Sequence, residues 1–577
     1  MLAGTRGITY ERPESHGRRG ELGFESRRSV WTKAADRPAV VADNRNQRSI
    51  TLIDALFQFS RRRSALLFWL GSGTVSIGVL LHLPMFWMAR SNGFVIAGMP
   101  MDSGMVLGMA LIVGGILAAG YGLLPDRAPL TGVLEPVGPP EDLPLTRAHW
   151  RLIAVLSMAL IIDVMKPASL GFVTPGMRVE YGIDGTTVAL LPLSALIGTA
   201  VGSFAWGALA DVYGRRASIL VSSVMFVGTS ICGAMPSFSW NIAMCFLMGA
   251  AAGGMLPVAY ALLAEIMPTR HRGWCLVLVG GFGTIGGYFA ASALSALLQP
   301  TFGWRIMWFL NLPTGMILIA LSPLIPESAR FLQHLGRLDD ARATLARFGA
   351  VIKPQLEGCA SAFKEDEESV VEAATHGLLG ATAALTLAAL AWGLVNFGVL
   401  LWLPSALVAE GQSVGLASGI IARSALLAAP TIIIASYLYS LWSTKWSLMS
   451  AIGLTTLGLL ALMLRQIGTW SVASSPIVPL CLLIVGSSGV ISMLLPYAAE
   501  SYPVRVRGRA TGWVAGWSKV GGVLAQGLSV IGLIPALGAA AAFVAIPAAL
   551  SLVLVGGFGK ETRGRDLREL EGRAIFD

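Results

Sequence analysis

The fold follows from an eleven-residue segment that occurs twice in the chain. It reads LAEIMPTRHRG at positions 263–273 and AAESYPVRVRG at positions 498–508. A Glu, a Pro, two Arg and a Gly match at a constant offset of 235 residues, and the pair Gly286-Gly287 returns as Gly521-Gly522 at the same offset. Seven matches at one offset indicate an internal repeat, and so two halves of similar structure.

Long apolar runs surround both copies of the segment. Hydrophobic residues make up 54% of the 577 residues and charged residues only 13%, and the mean hydropathy is +0.68. A soluble domain needs more charge to cover its surface, whereas about 20 apolar residues span a bilayer core of roughly 30 Å. The sequence therefore predicts a polytopic membrane protein. About twelve such runs begin near residues 149, 187, 217, 241, 273 and 304, and again near 377, 415, 446, 477, 508 and 536.

The rest of the chain divides into tails, linkers and one more membrane element. Two further apolar runs, about 65–87 and 105–124, predict an extra transmembrane hairpin before the repeat. Polar segments without apolar periodicity cannot bury enough surface to fold, so they predict tails and linkers. The predicted order is a disordered tail at 1–50, the hairpin at 51–125, a linker at 126–148, a six-helix half at 149–326, a loop at 327–376, a second half at 377–560 and a tail at 561–577.

Basic residues fall in alternate loops of this predicted bundle. Arg215-Arg216, the 270–272 loop and the 505–509 loop are separated by nearly uncharged loops such as 236–240. Lys and Arg concentrate on the cytoplasmic side of membrane proteins. We therefore expect a protein of the inner (plasma) membrane, in contact with the lipid bilayer, with both termini in the cytoplasm. The net charge of +9 then reflects topology, and we expect no binding to nucleic acid.

Four loop segments resemble those of a known family. The segment GALADVYGRR at 207–216 resembles the signature loop of the major facilitator superfamily. The 265–273 loop, PESAR at 326–330 and ETRGR at 561–565 resemble its sugar-porter and metabolite–proton symporter branches. The resemblance implies an all-α membrane fold with twelve core transmembrane helices in two pseudo-symmetric six-helix halves. In this chain the extra N-terminal two-helix hairpin would precede them.

The same resemblance implies a gate at the cytoplasmic ends of the helices. Carboxylate and guanidinium groups there can pair between the halves, and Arg is suited to bidentate pairs. Such pairs would hold the cytoplasmic side shut and break when it opens. The alternative is that these charges only set the topology. The gate residues that the family pattern implies are Gly207, Asp211, Gly214, Arg215, Arg216, Glu265, Arg272, Glu327, Arg330, Glu500 and Arg507.

An acidic and a basic residue stand inside the first core run. Asp163 lies roughly 21 Å into the helix at 1.5 Å per residue, and Lys166 follows it one turn later on the same face. Charges in a membrane span are usually functional, although these two can simply neutralise each other. A carboxylate beside a cation has a tunable proton affinity, so Asp163 is the candidate for proton coupling. This run also resembles the first helix of aromatic-acid proton symporters, which carries D-G-x-D, but its second acidic position is Lys166 here.

Two more cations stand in the second half. Arg423 lies about two turns into the eighth run, where the aromatic-acid symporters place an Arg that meets the substrate carboxylate; the alternative is that it snorkels to the surface. Lys519 lies near the middle of the eleventh run, too deep for easy snorkelling. Together with Lys166 they outnumber Asp163, which favours an anionic substrate over a cationic drug. Further candidates for this site, each of which can equally serve helix packing, are Tyr288, Trp392, Asn396, Tyr260, Phe397 and Trp402.

These features predict a secondary transporter for a small organic anion, an aromatic or short-chain carboxylate, that works by alternating access with proton symport. Alternatives of the same fold are a sugar or polyol porter and a small-molecule exporter, and a more remote one is a transporter-like sensor. The five Cys and six His show no metal or disulfide spacing, so we expect no cofactor, no metal site and no enzymatic activity. The expected partners are the organic anion and the proton, and the expected state is a monomer.

Overall fold

The protein is described from a computed structural model that covers residues 62–124, 143–349, 379–467, 476–502, 504–533 and 536–563. The predicted tail at 1–50, most of the linker, part of the middle loop and nearly all of the C-terminal tail lie outside the described residues. Within the described residues every regular element is a helix, and no strand occurs.

Fourteen helices of the described residues are long enough to cross a membrane. Thirteen are strongly apolar, and the other, Val504–Val530, is more polar because it carries Lys519 and the basic residues of the repeat. The predicted all-α fold is confirmed, with α1 and α2 as the extra hairpin, α3–α8 as the first half and α9–α14 as the second. The helices are α1 (Ser64–Asn92), α2 (Ser103–Gly122), α3 (Arg147–Tyr181), α4 (Gly185–Tyr213), α5 (Arg215–Ala234), α6 (Phe238–Ile266), α7 (Arg270–Phe302), α8 (Ile306–Leu324), α9 (Leu379–Ala409), α10 (Val414–Leu441), α11 (Thr444–Gln466), α12 (Ile477–Ser501), α13 (Val504–Val530) and α14 (Leu537–Phe558).

Matching helix pairs pack in the two halves. In the first half α3 packs on α7, α4 on α6 and α5 on α8. In the second half the corresponding pairs are α9 with α13, α10 with α12 and α11 with α14. Between the halves α7 packs on α10 and α13 on α4, which are again equivalent contacts. The sequence repeat is therefore a pseudo-two-fold repeat in structure, as in transporters with parallel repeats.

The repeated glycine pairs let the first and fifth helices of each half approach closely. A Cβ atom added at Gly287 of α7 would lie 2.6 Å from Cβ of Val164 on α3. One added at Gly522 of α13 would lie 2.7 Å from the ring of Phe397 on α9. Small residues permit such close contact between membrane helices. The repeat therefore provides the same packing contact beside each of the two helices, α3 and α9, that carry candidate site residues.

The hairpin packs against the first half through α5, which both α1 and α2 contact. A buried ion pair holds its loop: Oε1 of Glu180 on α3 lies 2.6 Å from Nη2 of Arg305. The same oxygen accepts the backbone N–H groups of Ile96 (2.8 Å) and Ala97 (3.0 Å) in the hairpin loop. Because the remaining Arg305 donors also find partners, among them the hydroxyl of Tyr181, the pair is satisfied and ties the hairpin to the end of α3.

Candidate functional site

Asp163 and Lys166 lie in the interior of the bundle on one face of α3. Asp163 is 7% exposed and Lys166 is 1% exposed. Neither Oδ1 of Asp163 nor Nζ of Lys166 has a hydrogen-bond partner among the described residues. The Lys166 ammonium instead contacts the face of the Phe226 ring on α5, a cation–π contact. Buried ionisable groups that lack hydrogen bonds are costly, so the positions of these two groups call for an explanation.

A third charged residue, Lys519, belongs to the second half. It lies on α13, and its charge acts on Asp163 across the interface, as the charge of Lys166 does within α3. Its Nζ lies 5.1 Å from the centroid of the Phe397 ring on α9. We call Asp163, Lys166 and Lys519 the central charge cluster. With one carboxyl group and two amino groups, the cluster is suited to receive one further anionic group.

Tyr288 and Asn396 form a polar contact between the halves. The Tyr288 hydroxyl on α7 donates to Oδ1 of Asn396 on α9 (3.0 Å), and both side chains are buried. Asn396 belongs to a π-helical segment, Val395–Val399, in the middle of α9. Its backbone carbonyl also accepts from Tyr288 (3.2 Å), and the carbonyl of Phe397 accepts from the Gln526 amide of α13. Such single-turn π segments are frequent at functional sites, and this one lies beside Lys519.

Trp392 lies one turn before the π-helical segment. Its indole N–H donates to the carbonyl oxygen of Ser487 on α12 (2.9 Å). Its ring meets that of Phe397 edge-on, with the ring centroids 5.6 Å apart. The hydrogen bond joins α9 to α12 and the ring contact lies within α9, so both contacts are consistent with the packing role that the sequence left as the alternative for Trp392.

Arg423 does not join the central charge cluster. Its side chain is exposed and shares a face of α10 with Leu416 and Leu427, which are 62% and 61% exposed. This face points out of the bundle. The substrate-binding role expected for Arg423 is therefore not supported by its position, and the alternative of snorkelling along the lipid-facing surface fits better. The sequence gives the depth of Arg423 along α10, but the rotation of that helix depends on its packing against α7 and α12.

Arg423→Gln is expected to change substrate uptake little. Exposed substitutions away from special features shift free energies by about 0.5 kcal/mol or less, which is roughly a twofold change in KM. Initial uptake rates in proteoliposomes over a range of substrate concentrations measure this. A tenfold rise in KM with normal protein folding would contradict the outward placement of Arg423.

A cavity of about 190 Å³ lies between the halves. We call it the vestibule. Arg178 near the end of α3, Trp402 of α9 and Gln526 of α13 are among its lining residues. Gln526 follows Lys519 by seven residues, which is about two turns of α13. The vestibule therefore lies between one end of the bundle and the central charge cluster.

The other end of the bundle, which we call the basic end, carries the loops with the predicted gate residues. Nη1 of Arg215 lies 3.2 Å from Oδ1 of Asp211. Nη2 of the same residue lies 3.4 Å from Oε1 of Glu265 at the end of α6. Three of the predicted gate residues are therefore joined by ion pairs. Through these pairs Arg215 links the loop between α4 and α5 to the end of α6, within the first half.

Glu327 contacts the start of α5 from another direction. Its Oε1 accepts the backbone N–H groups of Arg215 (2.8 Å) and Arg216 (3.3 Å). A carboxylate at this position satisfies unpaired N–H groups and favours the helix dipole. Burial raises the pKa of Glu327 above its ordinary value, although the amide hydrogen bonds and the charge of Arg216 oppose the rise. Glu327 therefore acts as a helix cap as well as an ionic partner.

Gly214 permits the close approach of Glu327. Its φ is +98° and its ψ is 163°, a region that essentially only glycine adopts, and an added Cβ would lie 2.7 Å from the Phe331 ring. We expect Gly214→Ala to lower the free energy of unfolding by about 1–3 kcal/mol from backbone strain alone. Thermal unfolding of the purified protein in detergent measures this.

The matched control for Gly214 is Gly207→Ala. Gly207 belongs to the same loop motif, but it is exposed and no atom lies within 4 Å of an added Cβ. A side chain there should leave the unfolding temperature unchanged or raise it slightly, because Ala favours a helix over Gly. Equal losses of stability in the two variants would refute the role given to Gly214.

The second half repeats the cap with Glu561, which is absent from the predicted gate set. Its Oε1 accepts the backbone N–H (3.0 Å) and the hydroxyl (2.7 Å) of Thr444 at the start of α11, and its Oε2 accepts the Ser443 hydroxyl. Burial alone would raise its pKa, but these hydrogen bonds hold the pKa of Glu561 at about 2. Glu561 and Glu327 therefore cap equivalent helices. The two residues are 234 positions apart, which is close to the 235-residue offset of the repeat. This spacing could have identified Glu561.

Arg272 and Glu500 lie on opposite halves at the basic end. Arg272 lies near the start of α7 and Glu500 at the end of α12, and a Cβ atom added at Gly273, next to Arg272, would lie 3.7 Å from Oε1 of Glu500. Glu500 also accepts the hydroxyl groups of Tyr439 (2.9 Å) and Thr562 (2.8 Å). The two halves therefore approach each other closely at the basic end.

Two other predicted gate residues are placed less favourably. Arg330 is exposed, and no ion pair of its side chain occurs within the described segments. Its position therefore does not support a gate role. The side chain of Arg507 lies outside the part of the chain whose side chains are described, so its predicted role stays a prediction.

Comparison with known proteins gives one family and several relatives. The family model described as Major Facilitator Superfamily matches residues 151–526. The niacin transporter NiaP of Acinetobacter baylyi is 26% identical over 398 residues, which cover 67% of this chain and 87% of that protein. The 4-hydroxybenzoate transporter PcaK of Pseudomonas putida is 28% identical over 411 residues, which cover 68% and 88%. The xylose transporter XylE from E. coli, in an inward open conformation, matches with a TM-score of 0.57 at 15% identity over 74% of this chain and 99% of that one.

Proposed function

The chain belongs to the Major Facilitator Superfamily, and we propose that it transports a small organic anion, an aromatic or short-chain carboxylate, by alternating access with proton symport. It is a multi-pass membrane transporter and not an enzyme. The observation that carries the proposal is the central charge cluster, in which the buried Asp163 and Lys166 share one face of α3 and the charge of Lys519, from the other half, also acts on Asp163. A site at the interface of two pseudo-symmetric halves is where alternating access requires the substrate.

The chemistry of the relatives supports an aromatic carboxylate. The names of NiaP and PcaK give niacin and 4-hydroxybenzoate as the transported compounds. Both compounds are aromatic rings that carry one carboxyl group. A single carboxylate can take the place of the one charged carboxyl group of the cluster, that of Asp163, as the anionic partner of the amino groups. The likeness to XylE concerns the fold alone, so it carries no argument for a sugar.

The cluster offers a simple route to coupling. In the empty protein Asp163 acts as the counter-charge of Lys519 across the interface. A proton on Asp163 releases Lys519, which then binds the substrate carboxylate by a charge-assisted hydrogen bond. Lys519 thus keeps one anionic partner at each step, first Asp163 and then the substrate carboxylate. This avoids the cost of an isolated charge in the membrane. Substrate and proton therefore enter the site together.

The basic end would act as one gate of this cycle. Arg272 and Glu500 lie on opposite halves, so a pairing between them would break when the halves separate at that end. The positive-inside rule assigns the basic end to the cytoplasm, which makes the vestibule the outer approach. In this orientation the proton gradient of the plasma membrane drives the substrate inward. We propose a monomer as the working unit, since each half-to-half site lies within one chain.

An uptake panel in proteoliposomes tests the proposal. Labelled nicotinate, 4-hydroxybenzoate, propionate and xylose are offered with an alkaline interior, with and without a protonophore. We expect at least one acid to accumulate faster than in protein-free vesicles, abolition of this excess by the protonophore, and no accumulation of xylose. If xylose accumulates and no acid does, the anion proposal is wrong and a sugar porter replaces it.

A further inference from the structure

The vestibule has one cationic side chain among its described lining residues. This is Arg178, which is exposed near the end of α3. Asp184 precedes the lining residue Gly185 in the chain, but its carboxylate accepts the N–H of Thr187 (2.8 Å) and the hydroxyl of Thr186 (2.6 Å). No carboxylate of the described residues lines the cavity itself. The vestibule is therefore suited to attract an anion.

Trp402 of α9 gives the vestibule an aromatic wall. The walls around it include the apolar side chains of Val188, Pro192, Leu401 and Leu537. An aromatic ring fits such surroundings, because ring edges and faces pack well against Trp.

The size of the vestibule limits what it can hold. Its volume is about 190 Å³. A closed apolar cavity of about 150 Å³ in another protein accommodates benzene. The vestibule therefore has room for one six-membered ring with a small substituent such as a carboxylate. Drug-sized ligands, which occupy pockets of roughly 300 Å³ or more, exceed it.

We propose that the vestibule is a separate binding subsite for an aromatic monocarboxylate. In this subsite Arg178 binds the carboxylate, and Trp402 packs on the ring. The substrate then passes Gln526 and moves about two turns along α13 to Lys519. This inference rests on the proposed function, because it adds a first stop on the route to the central charge cluster and names the substrate class.

Protection of an introduced thiol tests the subsite. Ser405→Cys places a thiol in the vestibule wall, and the purified protein in nanodiscs exposes both ends to the neutral reagent N-ethylmaleimide. The unaltered protein supplies the background from the native cysteines. We expect benzoate to slow labelling roughly tenfold at ten times its Kd by simple mass action. Benzamide, which lacks the charge, and cyclohexanecarboxylate, which lacks the aromatic ring, should protect at least severalfold less.

Two further variants separate the vestibule from the central charge cluster. Protection by benzoate should persist in Ser405→Cys combined with Lys519→Met, and should disappear when it is combined with Arg178→Gln. A thiol at Gln412, exposed on the loop that follows α9, should react at the same rate with and without benzoate. If Ser405→Cys fails to give monodisperse protein, Ala406→Cys, which also lines the cavity, replaces it.

The opposite pattern would overturn the inference. Protection that survives Arg178→Gln but disappears with Lys519→Met would show that benzoate occupies only the central charge cluster. Absence of any protection, in a protein that accumulates benzoate or 4-hydroxybenzoate, would show that the vestibule is only a passage. Failure of the unaltered protein to accumulate any acid would instead reject the proposed function itself.

Discussion

Asp163→Asn is expected to abolish proton-driven accumulation of the substrate while exchange of substrate across the membrane continues. Asn keeps the shape of Asp163 but carries neither charge nor a transferable proton. A gradient of one pH unit is worth about 1.4 kcal/mol, which gives roughly tenfold accumulation per coupled proton. The unaltered protein should approach that ratio faster than protein-free vesicles do, and the variant should be no faster than those vesicles. Labelled substrate uptake with an alkaline interior measures accumulation, and counterflow into preloaded vesicles measures exchange.

The matched control for Asp163 is Glu410→Gln. Glu410 is also acidic, but it is exposed and forms an ion pair with Arg465 (3.0 Å) on the surface. Surface ion pairs contribute little, so this variant should accumulate substrate as the unaltered protein does. Asp163→Glu should retain part of the coupling, because the proton acceptor is present but displaced. Accumulation by Asp163→Asn as fast as by the unaltered protein would remove Asp163 from the coupling mechanism.

Lys519→Met is expected to raise KM by a large factor. Met has nearly the same length and is tolerated in an apolar interior, so the change removes the charge and its hydrogen bonds with little loss of packing. Loss of one partner of a buried charge pair costs about 2–5 kcal/mol, which corresponds to a rise in KM of roughly 30-fold or more at 1.4 kcal/mol per tenfold change. Concentration series of initial uptake rates give this value directly.

Lys560→Met serves as the control for Lys519. The side chain of Lys560 is exposed beyond the end of α14, so its loss should leave KM within about twofold. Thermal unfolding of both variants confirms that neither has lost its fold. If Lys519→Met keeps the KM of the unaltered protein, the substrate carboxylate binds elsewhere, and Lys166 becomes the next residue to examine.

The sequence predicted the helices and their two-fold repeat because both are local properties. Apolar runs of membrane length fix the spans, and the 235-residue offset of the glycine pairs fixes which spans correspond. The depth of Asp163, Lys166 and Lys519 follows from counting along each run. Their convergence in one cluster was a hypothesis, since it depends on how α3 and α13 are rotated toward each other.

Features that depend on tertiary packing could not be predicted from the sequence. Arg423 has the right depth but the wrong face of α10. The Glu180–Arg305 pair joins residues far apart in the chain that belong to no repeat, so neither motif nor periodicity reveals it. The π-helical segment Val395–Val399 has no composition that distinguishes it from the α-helix around it. Each of these depends on the rotation or approach of a helix, which hydropathy alone does not determine.

At the basic end the family motif located the charged residues correctly but did not give the partner of each one. The motif located Arg215 and Glu265, which form an ion pair, and Glu327, which caps α5. Pairing was expected between the halves, whereas these contacts lie within the first half. Only a contact between the halves has to break when that end opens. Among the described residues, Arg272 and Glu500 lie on opposite halves where these approach closely at the basic end, and the gate role predicted for them stays a prediction.

In the proposed cycle anion entry and proton entry are one event at Asp163. Recording the internal pH of proteoliposomes after 4-hydroxybenzoate is added outside tests this coupling. Protein-free vesicles and Lys519→Met vesicles are recorded in parallel, because the protonated acid also crosses lipid unaided. We expect faster acidification with the unaltered protein than with either control, and loss of that excess in Asp163→Asn. Uptake of labelled 4-hydroxybenzoate by the protein without excess acidification, or equal acidification by Asp163→Asn, would contradict it.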